Sequence, residues 1–237
     1  MRANALLASF GVVALIIGGV ASAAPHQLHY LTAQELSAAS VLPPPPAPGS
    51  IQEKAELKAL HAIVEASSPA RLDQARWDQD HEDPALFDKT LGIELQKLPL
   101  TWALLSEVRE EAGAAVAMSK AYFHRARPWG VDPTLASCER APEHKPINSY
   151  PSGHAILGYS AGYVLAQLLP GRATEIVGRA ADYGYSREVC GVHFASDIEA
   201  SHALGTLLGA KLLANAAFKA KFDAARQELI DAHIAGA

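Results

Sequence analysis

The chain is poor in charge and in cysteine: of its 237 residues, 19% are Asp, Glu, Lys or Arg and only two are Cys. Nearly half of the residues are apolar. That balance excludes a disordered or fibrous chain and points to one compact globule with a substantial core. Net charge is −5, without a basic stripe. A nucleic-acid polymer is therefore not an expected partner, because phosphate-backbone affinity needs clustered Lys and Arg. Any anion site must be a local concentration of cations set against the overall field. Alternating strand patterns are scarce, and there is no fixed-period repeat. No carboxylate-rich metal cluster stands out, so neither a metal nor another cofactor is expected. Beyond the first twenty residues no apolar run reaches membrane-span length. The longest, residues 155–169, is interrupted by Tyr159, Ser160, Tyr163 and Gln167.

The first residues read as a targeting segment. Arg2 supplies a positive start, residues 5–20 are uncharged and apolar, and Ala21, Ser22 and Ala23 form a small-x-small cleavage pattern. A signal peptide over residues 1–23, cleaved after Ala23, is expected. The alternative is an uncleaved anchor, which Gly11, Gly18, Gly19 and the shortness of the run disfavour. The protein is then exported, periplasmic or secreted, with no membrane association once the signal is removed. In an exported chain the even pair Cys138 and Cys190 favours a disulfide over two separate buried thiols.

Residues 24–49 form an arm ending in a proline-rich strap. A helical turn is expected near residues 32–39, and the prolines at 43–46 and 48 impose an extended polyproline II course, as tether or as strap. From Ser50 onward the pattern is helical. Ser50 caps a helix to about residue 66, and Ser68 followed by Pro69 starts another to about 80. Further helices are expected over residues 101–125, 152–169, 173–185, 196–217 and 219–234. The fold class is all-α: a single-domain helical bundle over residues 50–237, with one long irregular active-site loop at 128–150.

Three separated motifs carry chemistry. Lys120 and Arg127 are seven residues apart, about 20° on one helix face if the helix continues, and Pro128 breaks it just beyond. Alone, such a pair is an ordinary solvated face. Ser152 precedes an apolar helix as its N-cap, so the N–H groups around Gly153 and His154 could hold an anion. Ser186-Arg187 is followed by His193 and Asp197. At a spacing of four, Asp197 can fix the tautomer of His193 and leave the other ring nitrogen as a nucleophile. Each part also has an ordinary structural reading; their order and combination are far more specific.

Together the motifs Lys-x6-Arg-Pro, Pro-Ser-Gly-His and Ser-Arg-x5-His-x3-Asp closely resemble those of the class A bacterial non-specific acid phosphatases. These belong to the phosphatidic acid phosphatase type 2 superfamily, which also includes vanadium haloperoxidases. The strap at residues 42–50 is similar to that of class A. Trp129, where many members carry Phe, departs from the pattern at the expected pocket rim. The resemblance implies that Lys120, Arg127 and Arg187, with the Ser152 hydroxyl and the Gly153 N–H, hold phosphate. It implies His193 as the attacking nucleophile, Asp197 as its orienting partner, and His154 as acid and then base. The expected activity is metal-independent hydrolysis of small-molecule phosphate monoesters through a phosphohistidine, broad in specificity, with transfer to alcohols as a side activity. The alternative is a vanadate-dependent haloperoxidase using the same cradle. His26, His29, His61, His81, His124, His144, His202 and His233 are read as surface or structural, with His144 and Lys145 near the site rim. A homo-oligomer is left open.

Overall fold

A computed structural model describes residues 26–138 and 148–235. The expected signal peptide with its cleavage site, and His144 and Lys145, lie outside the described residues. The helices in chain order are α1 (Ala38–Val41), α2 (Ile51–Ala66), α3 (Pro69–Asp80), α4 (Asp88–Leu91), α5 (Pro99–Phe123), α6 (Pro128–Val131), α7 (Gly153–Leu168), α8 (Ala173–Val189), α9 (Ala195–Ala214) and α10 (Ala216–Asp231). Among the described residues there is no strand, and no helix is long and apolar enough to cross a membrane.

Helix α7 is the hub, packed against α5, α8 and α9. Its residues are apolar or small almost all round, as a helix enclosed on every side requires, and eleven of its sixteen residues are buried. Gly205 of α9 sets how close that helix comes. A Cβ there would lie 2.9 Å from the Ile156 carbonyl oxygen, so any larger residue would push α9 outward. Burying the N-terminal end of α7 in this way places Ser152, Gly153 and His154 at the bottom of a cleft rather than on the surface.

Local caps set several boundaries as expected. The Ser50 and Ser68 hydroxyls accept from the N–H of Glu53 and Arg71. Two boundaries differ, and both matter for the site. Helix α5 stops at Phe123, because His124 adopts a left-handed conformation (φ 51°); the break precedes Pro128 by several residues. Lys120 and Arg127 therefore do not share a helix face. Helix α8 runs to Val189 rather than ending near 185, so Ser186 and Arg187 are helical. The Ser186 hydroxyl donates to the buried Asp78 carboxylate, which also receives Gln74 and Arg179, and this cluster ties α8 to α3.

The proline-rich stretch is a strap laid on the domain. The Tyr150 hydroxyl donates to the Pro43 carbonyl at 2.7 Å, Leu42 is buried, and the Gly49 N–H donates to Glu53. The arm before it is also tied down: the His29 and Tyr30 N–H groups both donate to Glu111 of α5. The expected turn near residues 32–39 is present over residues 33–36, where the Glu35 N–H donates to the Thr32 carbonyl, and the short α1 follows it. The last two helices meet at Asn215, whose side chain accepts from the N–H of Ala217 and Phe218. That cap places the break slightly earlier than expected.

Candidate active site

The motif residues converge. Lys120, Arg127, Gly153, His154, Arg187 and His193 line one cavity of about 700 Å3. They arrive from different elements: Lys120 from the last turn of α5, Arg127 from the residue before α6, Gly153 and His154 from the first turn of α7, Arg187 from α8. Ser152 and Asp197 are fully buried just behind the cavity wall. The Ser152 hydroxyl accepts from the Ala155 N–H as the α7 cap, and its own N–H donates to Ser201.

His193 is not part of α9, which begins at Ala195 with Asp197 in its first turn. Their contact is therefore made by the chain turning into the helix, not by two stacked helical residues. The Asp197 Oδ2 atom accepts from His193 Nδ1 at 3.1 Å, from the Phe194 N–H at 3.0 Å and from the Ser149 hydroxyl at 2.6 Å. Its Oδ1 accepts from Arg125 at 2.7 Å. Burial pushes the Asp197 carboxyl up, while Arg125 and the donors from Ser149 and Phe194 oppose that shift. Three donors and a guanidinium are the surroundings of a carboxylate, so the His193 proton is held on Nδ1. The Nε2 lone pair is left for the cavity side. There it accepts from Arg127 Nη1 at 2.7 Å, an atom that also donates to the Val192 carbonyl at 2.8 Å.

His154 is held differently. Its Nε2 lies 3.0 Å from the Gln79 carbonyl oxygen, so that nitrogen carries a proton. Its Nδ1 lies 3.4 Å from Glu82 Oε1, another residue of the cavity wall. Burial, then the charges of Arg187, Lys120 and Arg127, hold His154 well below the ordinary imidazole range. Burial, then Arg127, Lys120 and Arg187, do the same to His193. Lys120 is itself pulled down to about 8 by burial and by Arg127. Cations that depress one another in a low-dielectric cleft form a site where an anion relieves the repulsion.

Several neighbours carry no motif signal. Arg125, buried, also donates to Glu56 and to Ser196, and Glu56 accepts from the Ser196 N–H and hydroxyl. Ser149 also donates its N–H to the Arg125 carbonyl. No period or spacing marks these residues, because each acts through a contact distant in sequence. Trp129 is not at the rim. It packs against a small apolar cluster of Ala75, Val189, Cys190 and Val192. His26 and His124, read from the sequence as surface or structural, also line the cavity.

Cys138 and Cys190 form a disulfide. It joins the segment after α6 to the end of α8, one turn beyond Arg187, and the Cys138 N–H donates to the Cys190 carbonyl. Gly191 makes this corner possible. It has φ +66°, and a Cβ would sit 2.3 Å from the Ala136 carbonyl oxygen.

The profile of the PAP2 superfamily matches residues 98–221, half of the chain, and the match takes in all three motifs. The chain belongs to the PAP2 superfamily. This PAP2 chain is 29% identical to the non-specific acid phosphatase of Salmonella typhi over 225 residues, 92% of this chain and 90% of that one. It is likewise 29% identical to an acid phosphatase of Zymomonas mobilis, over 79% of this chain and 74% of that one. The motif resemblance to the class A acid phosphatases thus extends over most of the chain. Two solved structures share the fold. One is a bacterial vanadium-dependent iodoperoxidase with TM-score 0.58 and 21% identity, covering 75% of this chain; this chain spans about half of that enzyme, 53%. The other is a transmembrane PAP2-type phosphatidylglycerolphosphate phosphatase from Bacillus subtilis, with TM-score 0.53, 20% identity, and coverage of 79% and 90%.

Proposed function

We propose that this protein is an exported acid phosphatase that hydrolyses phosphate monoesters through a phosphohistidine on His193, without a metal. The observation that carries the reading is the state of His193: Nδ1 directed at Asp197 and Nε2 directed into a cavity walled by Lys120, Arg127 and Arg187. In this scheme the three cations and the Gly153 N–H hold the non-bridging oxygens, with the dipole of α7 assisting. The phosphate oxygens take the Arg127 N–H from His193, which frees the Nε2 lone pair. Nε2 then forms a bond to phosphorus as the bond to the ester oxygen breaks. The proton on His154 Nδ1 passes to the departing alkoxide, and Asp197 stabilises the positive imidazole. Neutral His154 next takes a proton from water as that water attacks phosphorus, and the P–N bond breaks to return His193. An alcohol in place of water gives the transferase side reaction. The Ser152 hydroxyl accepts the Ala155 N–H at the helix cap and keeps its own proton to donate to a phosphate oxygen, completing the cradle.

The similarity to acid phosphatases over most of both chains supports this reading above the haloperoxidase alternative. The test is p-nitrophenyl phosphate hydrolysis in the presence of a metal chelator, with phosphorus-labelled substrate and an alkaline denaturing quench, in which a phosphohistidine P–N bond survives, to trap labelled protein. Hydrolysis with label on His193 is the expected result. Hydrolysis abolished by the chelator and restored by a divalent ion, or halide oxidation with vanadate and peroxide in place of hydrolysis, would overturn it.

A further inference from the structure

The active-site cavity is far larger than a phosphoryl group, and its size matches that of pockets that enclose whole small molecules. One stripe of α5 forms its long wall. Arg109, Gly113, Val116 and Lys120 fall on that stripe, and the eleven residue steps from Arg109 to Lys120 span about 16 Å of helix axis. Lys120 stands at the phosphate end and Arg109 at the other. Between them the helix surface is small or apolar, with the His26 imidazole lying against Gly113, and Leu157 of α7 also lines the space.

The carboxylates around Arg109 are engaged elsewhere. Glu110 is bound to His26 at 2.8 Å, Glu111 accepts the His29 and Tyr30 N–H groups, and Glu107 accepts the Tyr30 hydroxyl and pairs with Lys221. Arg109 itself makes no hydrogen bond or ion pair with the described residues, and its half-buried side chain lines the cavity. The other acidic wall residue, Glu82, is at the opposite end beside His154. A guanidinium facing a cleft, with nearby carboxylates already bound, suits an anion that presents two oxygens, such as carboxylate or phosphate.

We propose that the Arg109 end of the cavity is a second anion subsite, which selects phosphomonoesters whose leaving group is extended and ends in an anion of its own. This rests on the phosphatase reading and adds a substrate class to it. The test compares kcat/KM for butanediol and dodecanediol bisphosphates, for a dodecyl phosphate ending in carboxylate, and for hydroxyalkyl monophosphates of matching length. In the wild type a charged far end should raise kcat/KM about tenfold at the long spacing, as a charge-assisted hydrogen bond does, and leave it little changed at the short one. Arg109→Leu should abolish that preference, Arg109→Lys should keep part of it, and both should hydrolyse p-nitrophenyl phosphate at the wild-type rate, which also reports that they fold. No preference for either anion in the wild type, or a preference that survives Arg109→Leu, overturns the subsite. Absence of p-nitrophenyl phosphate hydrolysis in the wild type itself would instead overturn the phosphatase reading.

Discussion

Arg125 Nη1 donates to Asp197 Oδ1 at 2.7 Å, while the other carboxylate oxygen of Asp197 holds His193. Both partners are buried, Arg125 3% exposed and Asp197 not at all. Removing the cation leaves a carboxylate in a low-dielectric site without its main counter-charge. Arg125→Met should therefore lower unfolding free energy by about 3 kcal/mol in urea titrations. Turnover should fall as well, because a carboxylate driven toward protonation no longer fixes the His193 tautomer. A variant of wild-type stability and rate would show that Ser149 and the backbone hold Asp197 unaided.

The two histidines should fail differently. His193→Ala should abolish turnover of every ester. His154→Ala should cost about 10²–10⁴ on alkyl phosphates, the usual contribution of a general acid. With p-nitrophenyl phosphate, whose leaving group needs little protonation, the loss should be smaller and phosphoenzyme should accumulate. Equal losses on both substrates would contradict the separation of roles.

The pH profile follows from the same charges. In the proposed scheme His193 must be neutral to attack, and His154 must be protonated to assist departure. Both are held well below the ordinary imidazole range by burial and the neighbouring cations. For His154 the active, protonated form is lost as pH rises through its lowered value. For His193 the active, neutral form persists into acid. The kcat/KM profile of the free enzyme should peak below about pH 6.5, the reference imidazole value. A maximum above about pH 8 would exclude this pair as acid and nucleophile.

Reduction of the Cys138–Cys190 disulfide, whose ends are 52 residues apart, should lower stability by roughly 4 kcal/mol on the chain-entropy view. Because Cys190 follows the turn of α8 that carries Arg187, kcat/KM should fall at denaturant concentrations where the reduced domain is still folded. The check is activity and tryptophan fluorescence recorded side by side in reductant. Unchanged kinetics in the folded, reduced protein would confine the bond to a stability role.

The sequence by itself determined the helices and the candidate site residues. Caps such as Ser50 and Ser68, the apolar run of α7 and the three motifs are local patterns. Local backbone physics reads them without knowing what lies across the domain. It could not decide where α5 ends, because His124 rather than Pro128 breaks it. Nor could it show that Lys120 and Arg127 meet across a cavity instead of sharing a helix face. The supporting shell was equally hidden. Arg125 reaches Asp197 across 72 residues and Glu56 across 69, and an isolated polar residue carries no trace of a partner so far along the chain. Those contacts exist only once α5, α7, α8 and α9 pack around one buried core. That burial removes water, concentrates the field of the cations, and gives His154 and His193 the lowered proton affinity that their types and spacing alone do not specify.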